Sequence, residues 1–110
     1  MIPFVYSTNI NHAQQILRPF SDTVYNLVLV ASTENHCTIP AGASMVIVSA
    51  TNNLNMKIGN SSVTAAIPGS NVTDGTGQSI NSAGYLLKPT DTTISCISQN
   101  ACVVSLEFYS

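Results

Sequence analysis

Charged side chains are scarce in this sequence of 110 residues. Asp, Glu, Lys and Arg together make up 7% of the chain, against about 25% in an average soluble domain. Neutral polar residues take their place, with 11 Asn, 14 Ser and 11 Thr. Because a free monomer usually relies on charge for its solubility, this composition predicts a surface that is covered in a homo-oligomer or a multi-copy array. The alternative is a monomer with an unusually neutral surface.

Basic residues are especially few, since Lys and Arg occur only at Arg18, Lys57 and Lys88. Nucleic acids and anionic membrane surfaces are bound by clusters of such residues, so we expect neither a nucleic-acid nor a membrane partner. No apolar run approaches the ~20 residues of a spanning helix. The N-terminal "MIPFVYSTN" also lacks the basic region of a signal peptide. We therefore expect the chain to fold in the cytoplasm where it is made.

Residues that carry chemistry are few and badly spaced. The chain has three cysteines and no CxxC pair, which argues against a zinc site; they are Cys37, Cys96 and Cys102. We expect all three thiols to be reduced, with a Cys96–Cys102 disulfide as the alternative. His36 and Cys37 are adjacent, so on an extended strand their side chains point to opposite faces and form no nucleophile pair. Glu34, His36 and Cys37 would need a further metal ligand from elsewhere. The sequence predicts no catalytic site, no metal and no cofactor, and hence a protein that is not an enzyme.

The glycine-rich stretch "TDGTGQSINSAG", residues 73–84, is the segment that most resembles a reactive loop. An aspartic protease needs two Asp-Thr-Gly or Asp-Ser-Gly motifs, whereas Asp74 is followed by Gly75. A Walker loop needs a Gly-Lys-Ser/Thr sequence, and this stretch has no lysine. We therefore interpret residues 68–84 as a long connection between strands. Such connections in compact domains usually have a function, and here we expect contact with a neighbouring protein.

Alternation of apolar and polar residues dominates the remainder of the chain and predicts β-strands. "VYNLVLVA" (24–31) and "SMVIVSA" (44–50) are more continuously apolar, which is typical of central strands covered on both faces. Only residues 11–20 hint at helix, with an extended arm as the alternative. The predicted strands are 3–8, 23–31, 44–50, 54–59, 61–66, 85–88, 92–98 and 101–109, with tight hairpin turns at 51–53 and 98–100. Short strands with frequent turns indicate an all-β fold, a small antiparallel β-sandwich that is jelly-roll-like.

Two runs of the sequence resemble a class of small virion proteins from tailed bacteriophages. They are "IPAGASMVIVSATNNLNMKIGNSSVTAAIPGSNVTDGTGQSI" and "ISCISQNACVVSLEFYS", which together cover roughly residues 39–110. The shared features are the corner at 39–42, the Ser-Ala-Thr strand end at 49–51, the Lys-x-Gly at 57–59, the Asp-Gly-Thr-Gly at 74–77 and the aromatic C-terminus at 108–109. The resemblance implies a capsid decoration (cement) protein on the virion surface, made in the host cytoplasm and bound to the major capsid protein.

Two segments are predicted to contact the partner. Residues 1–22 form either an N-terminal strand of the domain or an extended arm, in which Ile2, Phe4 and Tyr6 would make the contacts; residues 23–110 form a single β-sandwich domain. In the long connection the predicted contact residues are Asn71, Asp74, Thr76 and Gln78. Two alternatives remain open. One is a neck, tail or fibre-attachment component of the virion, and the other is a carbohydrate-binding β-sandwich module.

Overall fold

A computed structural model of the protein describes residues 1–4, 7–8 and 16–110. This part of the chain contains eight β-strands and no helix. The strands are β1 (Ser7–Thr8), β2 (Ile16–Leu17), β3 (Thr23–Leu29), β4 (Asn35–Thr38), β5 (Met45–Gly59), β6 (Ser79–Leu86), β7 (Thr93–Ile97) and β8 (Cys102–Tyr109). Every pairing between them is antiparallel.

Six of these strands form one sheet in the order β3-β8-β5-β7-β4, with β6 on the other edge of β5. The sheet curls until it is nearly closed into a barrel-like shape. β1 and β2 pair only with each other among the described strands. The predicted small, antiparallel all-β fold is confirmed.

The sheet is long because several strands lie end to end. β7 and β8 both run antiparallel to β5 along the same edge, β7 beside residues 55–59 and β8 beside residues 45–50. β4 and β3 then continue each other along the outer side of β7 and β8. The result is an elongated molecule with extents of 49 × 27 × 26 Å.

β5 bends in its middle and divides the sheet into two halves. Its register against β6 shifts between Ser49 and Leu54, which marks a β-bulge that bends the strand. We call β3, β8 and residues 45–50 of β5 the open half. We call β4, β7 and residues 54–59 of β5 the covered half. The names refer to the outer surface of the sheet, because both halves share one inner core.

The core lies on the inner face of the sheet. On β8, even-numbered residues point inward and meet inward residues of β5, so that Val46 lies opposite Phe108 and Val48 opposite Leu106. All four side chains are fully buried. Burial of one such side chain contributes about 1.5–3 kcal/mol. The same cluster continues into the covered half, where Met56, Ile94 and Cys96 complete it.

Several details of the predicted strand list are wrong, and tertiary pairing explains them. The predicted hairpin at 51–53 is the bulge of a continuous β5, which is held by strands on both sides. The predicted hairpin at 98–100 is absent, because β7 and β8 pair with β5 and not with each other. Residues 61–66 form no strand, β6 begins at Ser79 rather than at Tyr85, and β4 was not predicted.

β3 also differs from its prediction. Its apolar sequence predicted a central strand covered on both faces, yet β3 lies at the edge of the sheet with β8 as its only described neighbour. Half of the predicted helical segment, residues 11–15, lies outside the described residues, and in the other half Ile16–Leu17 form β2.

Candidate interaction surface

The outer surface of the open half carries a row of small, neutral side chains across four strands. Pairing registers place Ser82 beside Ser49, Ser49 beside Ser105, and Ser105 beside Asn26. Paired residues project from the same face of a sheet, so the four form one polar row. The Ser105 hydroxyl donates a hydrogen bond of 2.7 Å to Asn26 Oδ1, and no other described segment covers this row.

Apolar residues flank the polar row on both sides. Ile47 and Val24 lie on one side of it and Val28 and Val103 on the other. We define the open face by the outward residues of the open half and of the neighbouring part of β6, which are Val24, Asn26, Val28, Met45, Ile47, Ser49, Ser82, Gly84, Leu86, Val103, Ser105 and Glu107. An uncovered face that combines apolar and neutral polar groups is typical of a protein-binding surface.

Glu107 is the one charged residue of the open face, and it is paired. Its Oε2 lies 3.6 Å from Nη2 of Arg18 and accepts a hydrogen bond of 3.3 Å from the Tyr109 hydroxyl. Because the charge is balanced within the chain, a neutral partner can approach without leaving an unpaired carboxylate.

The N-terminal segment closes one end of the open face. The ring of Phe4 packs edge-on against Tyr109, with 5.1 Å between ring centroids. Ile2 accepts a hydrogen bond from the N–H of Ser110 and donates one to Asp22 Oδ1. Ile2 and Phe4, predicted as partner contacts, therefore make contacts within their own domain. Tyr6 lies outside the described residues.

The outer surface of the covered half is occupied by the loop of residues 60–78. The N–H of Ala65 donates a 2.8 Å hydrogen bond to the buried Ser95 Oγ, and the Ser95 hydroxyl donates in turn to Glu34. Nδ1 of His36 lies 2.8 Å from the same Glu34 oxygen. These contacts satisfy a buried hydroxyl and a buried backbone N–H, so the loop belongs to the fold itself.

The second anchor of this loop lies beside β5. The carbonyl of Gly77 accepts a hydrogen bond of 3.0 Å from Asn55 Nδ2, and the carbonyl of Gln78 accepts one of 3.0 Å from the N–H of Met56. The carbonyl of Thr76 accepts from Ala66. The C-terminal part of the predicted contact loop is therefore fixed to its own sheet.

Asp74 serves a local structural role in this loop. Its Oδ1 accepts hydrogen bonds from the hydroxyl of Thr76 at 2.7 Å and from the N–H of Thr76 at 3.1 Å. The hydroxyl bond is the main reason that the pKa of Asp74 lies below its usual value. Gly75 follows with a φ of 84°, a conformation that glycine adopts without strain. Asn71 and the side chain of Gln78 remain exposed.

A polar cleft lies where the two halves meet. Its volume is about 370 Å³, within the range of small-molecule sites. Carboxamides dominate its lining, with apolar groups on one side; the residues include Asn52, Asn53, Asn55, Ile67, Pro68, Gln99 and Asn100. Such a surface offers both donors and acceptors and no charge.

The thiols are free and are poorly suited to nucleophilic chemistry. Burial raises the pKa of Cys37 to about 11 and that of Cys96 to about 12, so both are protonated at neutral pH, and the reactive species is the thiolate. Cys102 is also free and buried, and no disulfide joins it to Cys96. Within the described residues, no group of three His, Cys, Asp or Glu side chains is placed to hold a metal ion.

Comparison of the chain with protein-family models, with curated proteins and with solved structures found no match. The described residues include no helix with the length and apolar character needed to cross a membrane.

The open face was missed by sequence reasoning, although a signal was present. Val24, Asn26 and Val28 alternate with Tyr25, Leu27 and Leu29, so each face of β3 is mostly apolar. That pattern was interpreted as a buried central strand. The structure leaves the Val24–Val28 side uncovered, which only the sheet order reveals.

Proposed function

We propose that this protein is a non-enzymatic structural component of a bacteriophage virion that decorates the capsid and stabilises it by bridging neighbouring capsid subunits. The observation that carries the proposal is the open face, a broad surface of neutral and apolar side chains on a chain with very little charge. The resemblance of residues 39–110 to small phage virion proteins supplies the class of assembly.

The physical properties of the open face suit attachment to a large assembly. Apolar residues such as Val28 and Ile47 contribute affinity when water is excluded from them, at about 25 cal/mol per Å². The hydroxyls of Ser49 and Ser82 can exchange hydrogen bonds with water for bonds with a partner at low cost. A modest affinity per copy is sufficient when a bound unit contacts several subunits at once.

A binding experiment with purified particles tests the proposal. We expect the protein to co-purify with capsids, and capsids stripped of it to disassemble at lower temperature or lower salt. Recovery of the protein only in the free fraction, with unchanged capsid stability, would contradict the virion assignment.

Substitutions separate the open face from the loop of residues 60–78 as the contact surface. Ser49→Arg places a long charged side chain at the centre of the open face and is expected to abolish particle binding. Thr38→Arg, at an exposed position of β4 in the covered half, is the matched control and should bind normally. Ser70→Arg tests the exposed tip of the loop. Loss of binding by Ser70→Arg alone would transfer the contact from the open face to the loop.

A neck, tail or fibre-attachment role uses the same kind of surface but a different number of copies. Quantitative mass spectrometry of purified virions distinguishes the two roles. A high copy number relative to the major capsid protein supports decoration, and a low number comparable to that of a connector supports the alternative.

The polar cleft favours carbohydrate binding as the second candidate function. Its carboxamides can bond to sugar hydroxyls, and Ile67 and Pro68 offer an apolar surface for a sugar ring. Calorimetric titration with maltohexaose and with chitohexaose tests this candidate. Saturable binding that is lost in Asn52→Ala and in Asn100→Ala would support it, whereas the absence of heat with either sugar would contradict it.

A further inference from the structure

The edge strand β3 has the sequence of an interior strand. From Thr23 to Val30 it contains no charged residue and no proline. Natural sheets usually protect their edges with such residues, because an exposed edge offers unpaired N–H and C=O groups to another chain. Among the described strands, β3 pairs with β8 alone and its other edge is free. An interior sequence at a free edge indicates that a neighbouring strand is supplied by another molecule.

Exposed apolar side chains concentrate along the same edge. Of the nine large hydrophobic residues that are exposed in the described part, six lie on β3 or directly beside it. Val28 is 71% exposed and Val30 is 66% exposed. We call these six the β3 strip: Phe20, Val24, Tyr25, Val28, Val30 and Val103. Isolated exposed hydrophobic residues are common, but a contiguous group marks an interaction site.

The surface area of the chain is larger than that of a compact monomer of the same mass. The accessible surface is 6665 Å², whereas a compact monomer of 11.6 kDa is expected to expose about 5,800 Å². The radius of gyration is 15.1 Å, against about 13 Å for a compact chain of this length. Both values reflect the elongated shape of the chain, which exposes the full length of its sheet edges.

We propose that two copies of this chain associate through antiparallel pairing of β3 with β3, about a two-fold axis that passes through Asn26. In this register, Asn26 of one copy lies beside Asn26 of the other, and each Val24 lies beside Val28 of the other copy. A two-fold contact must be complementary to itself. The pairs meet this condition, because the amides can bond to each other and the valines pack together.

Electrostatics permits this pairing. Self-association brings identical charges together, and like charges on opposed strands are destabilising. No charged residue lies between Thr23 and Val30, and Asp22, which precedes them, would lie opposite Val30 of the other copy. Asp22 is held by the N-terminal ammonium group at 3.6 Å. No repulsion therefore opposes the contact.

The dimer would join the two open faces into one continuous surface. The polar row would extend from Ser82 through Asn26 to the corresponding residues of the second copy. Such a doubled surface gains avidity on a repeating partner. The dimer itself does not depend on the virion assignment, because it follows from β3 alone.

Disulfide trapping tests the register. Paired residues have Cβ atoms about 4.5–5.5 Å apart, so Asn26→Cys should form a covalent dimer rapidly under mild oxidation. Leu86→Cys is the control, because Leu86 is 83% exposed on the edge strand β6, outside the contact. Mixing Val24→Cys with Val28→Cys should give a covalent heterodimer faster than either variant alone gives a homodimer. Cross-linking of Asn26→Cys no faster than that of Leu86→Cys would overturn the proposal.

Sedimentation equilibrium tests the association without cross-links. The wild-type protein should have twice the 11.6 kDa mass of the chain. Val28→Lys should sediment as a monomer with an unchanged circular dichroism spectrum, and Leu86→Lys should remain dimeric. A monomeric wild-type protein at high concentration would contradict the dimer. Retained particle binding by that monomer would leave the capsid proposal intact, so the two proposals can fail separately.

Discussion

The two halves of the sheet share one core but differ in whether another segment of the chain covers their outer surface. In the covered half, the loop of residues 60–78 lies over β7, and the buried Ser95 bonds to it. In the open half, Ser105 occupies the corresponding outward position on β8, and its hydroxyl donates a hydrogen bond to Asn26 on the neighbouring strand. Ser95 on β7 and Ser105 on β8 both point outward from strands that pair with the same edge of β5. Ser95 is fully buried under the loop, whereas Ser105 is partly exposed. The comparison shows that a loop covers the outer surface in one half, whereas no described segment covers the polar row of the other half.

Substitutions in the shared core give the largest expected effects and should not distinguish the halves. Leu106→Ala in the open half and Ile94→Ala in the covered half each remove a fully buried side chain. Each should lower the free energy of unfolding by about 2–5 kcal/mol, as measured by urea denaturation. A much smaller loss for Leu106→Ala would mean that the core of the open half is loosely packed. The two halves would then differ in their cores as well as in their outer surfaces.

The paired serines give the next largest effect and should distinguish the halves clearly. Ser95→Ala leaves the buried N–H of Ala65 without its partner and removes one of the two contacts of Glu34 Oε2, which costs about 1–3 kcal/mol. Ser105→Ala removes an exposed hydrogen bond and should change stability by less than about 0.5 kcal/mol. Urea denaturation of both variants measures the difference. Equal losses would contradict the distinction between covered and open halves.

Two glycines test the same distinction through the backbone. Gly75 has a φ of 84°, and an alanine there should cost about 1–2 kcal/mol because L residues are strained in that conformation. Its added Cβ would also lie 2.9 Å from Nζ of Lys57. Gly84→Ala, on the open face, meets only ordinary contact with Ile47 at 3.8 Å. It should be neutral or stabilise by up to about 1 kcal/mol. Thermal unfolding of both variants provides the measurement.

The smallest expected effect comes from acid. Hydrogen bonds from the hydroxyls of Thr23 and Thr76 are the main reason that the pKa values of Asp22 and Asp74 lie below the usual 3.8. A lowered folded pKa gives stability that is present above the unfolded value and is lost as the pH falls through the folded value. We therefore expect both contacts to loosen below about pH 4. Carboxyl NMR titration should give midpoints under 3.8 for both groups. A midpoint at or above 3.8 would contradict the hydrogen bond from the threonine hydroxyl to that carboxylate. Asp74→Asn should remove the loosening of the loop in acid.

Much of the fold could be predicted because strand formation depends on local alternation. Leu106 and Phe108, for example, are separated by the polar Glu107, and this pattern places them on the inner face of β8. The long connection was predicted from its turn residues, although Ser79 ends it earlier than expected. Turn chemistry is misleading at Asn52 and Asn53, because β5 is paired on both sides just before and just after these residues and continues through them as a bulge.

The open face was harder to predict, because the exposure of a sheet face depends on which other segments of the chain pack against it. Contact of Asp74 with a partner remains a prediction, and within the chain its carboxylate accepts a hydrogen bond from Thr76. Phe4 is predicted to lie in an N-terminal strand of the domain or in an extended arm, and its ring packs on Tyr109 of its own domain. The Asp74–Thr76 contact is a local turn of a kind that Asp favours, whereas the Phe4–Tyr109 contact joins residues that only the folded chain brings together.

The sequence by itself determined the class of structure and the character of the surface. Its periodicity produces antiparallel strands, and its lack of charge makes that surface neutral. The tertiary structure alone decided where the exposed apolar residues lie, because the sheet order places β3 at an edge. A strand pattern is local, since alternate side chains point to opposite faces whatever the neighbours are. The position of a strand within its sheet depends on pairings between distant residues, such as Asn26 with Ser105.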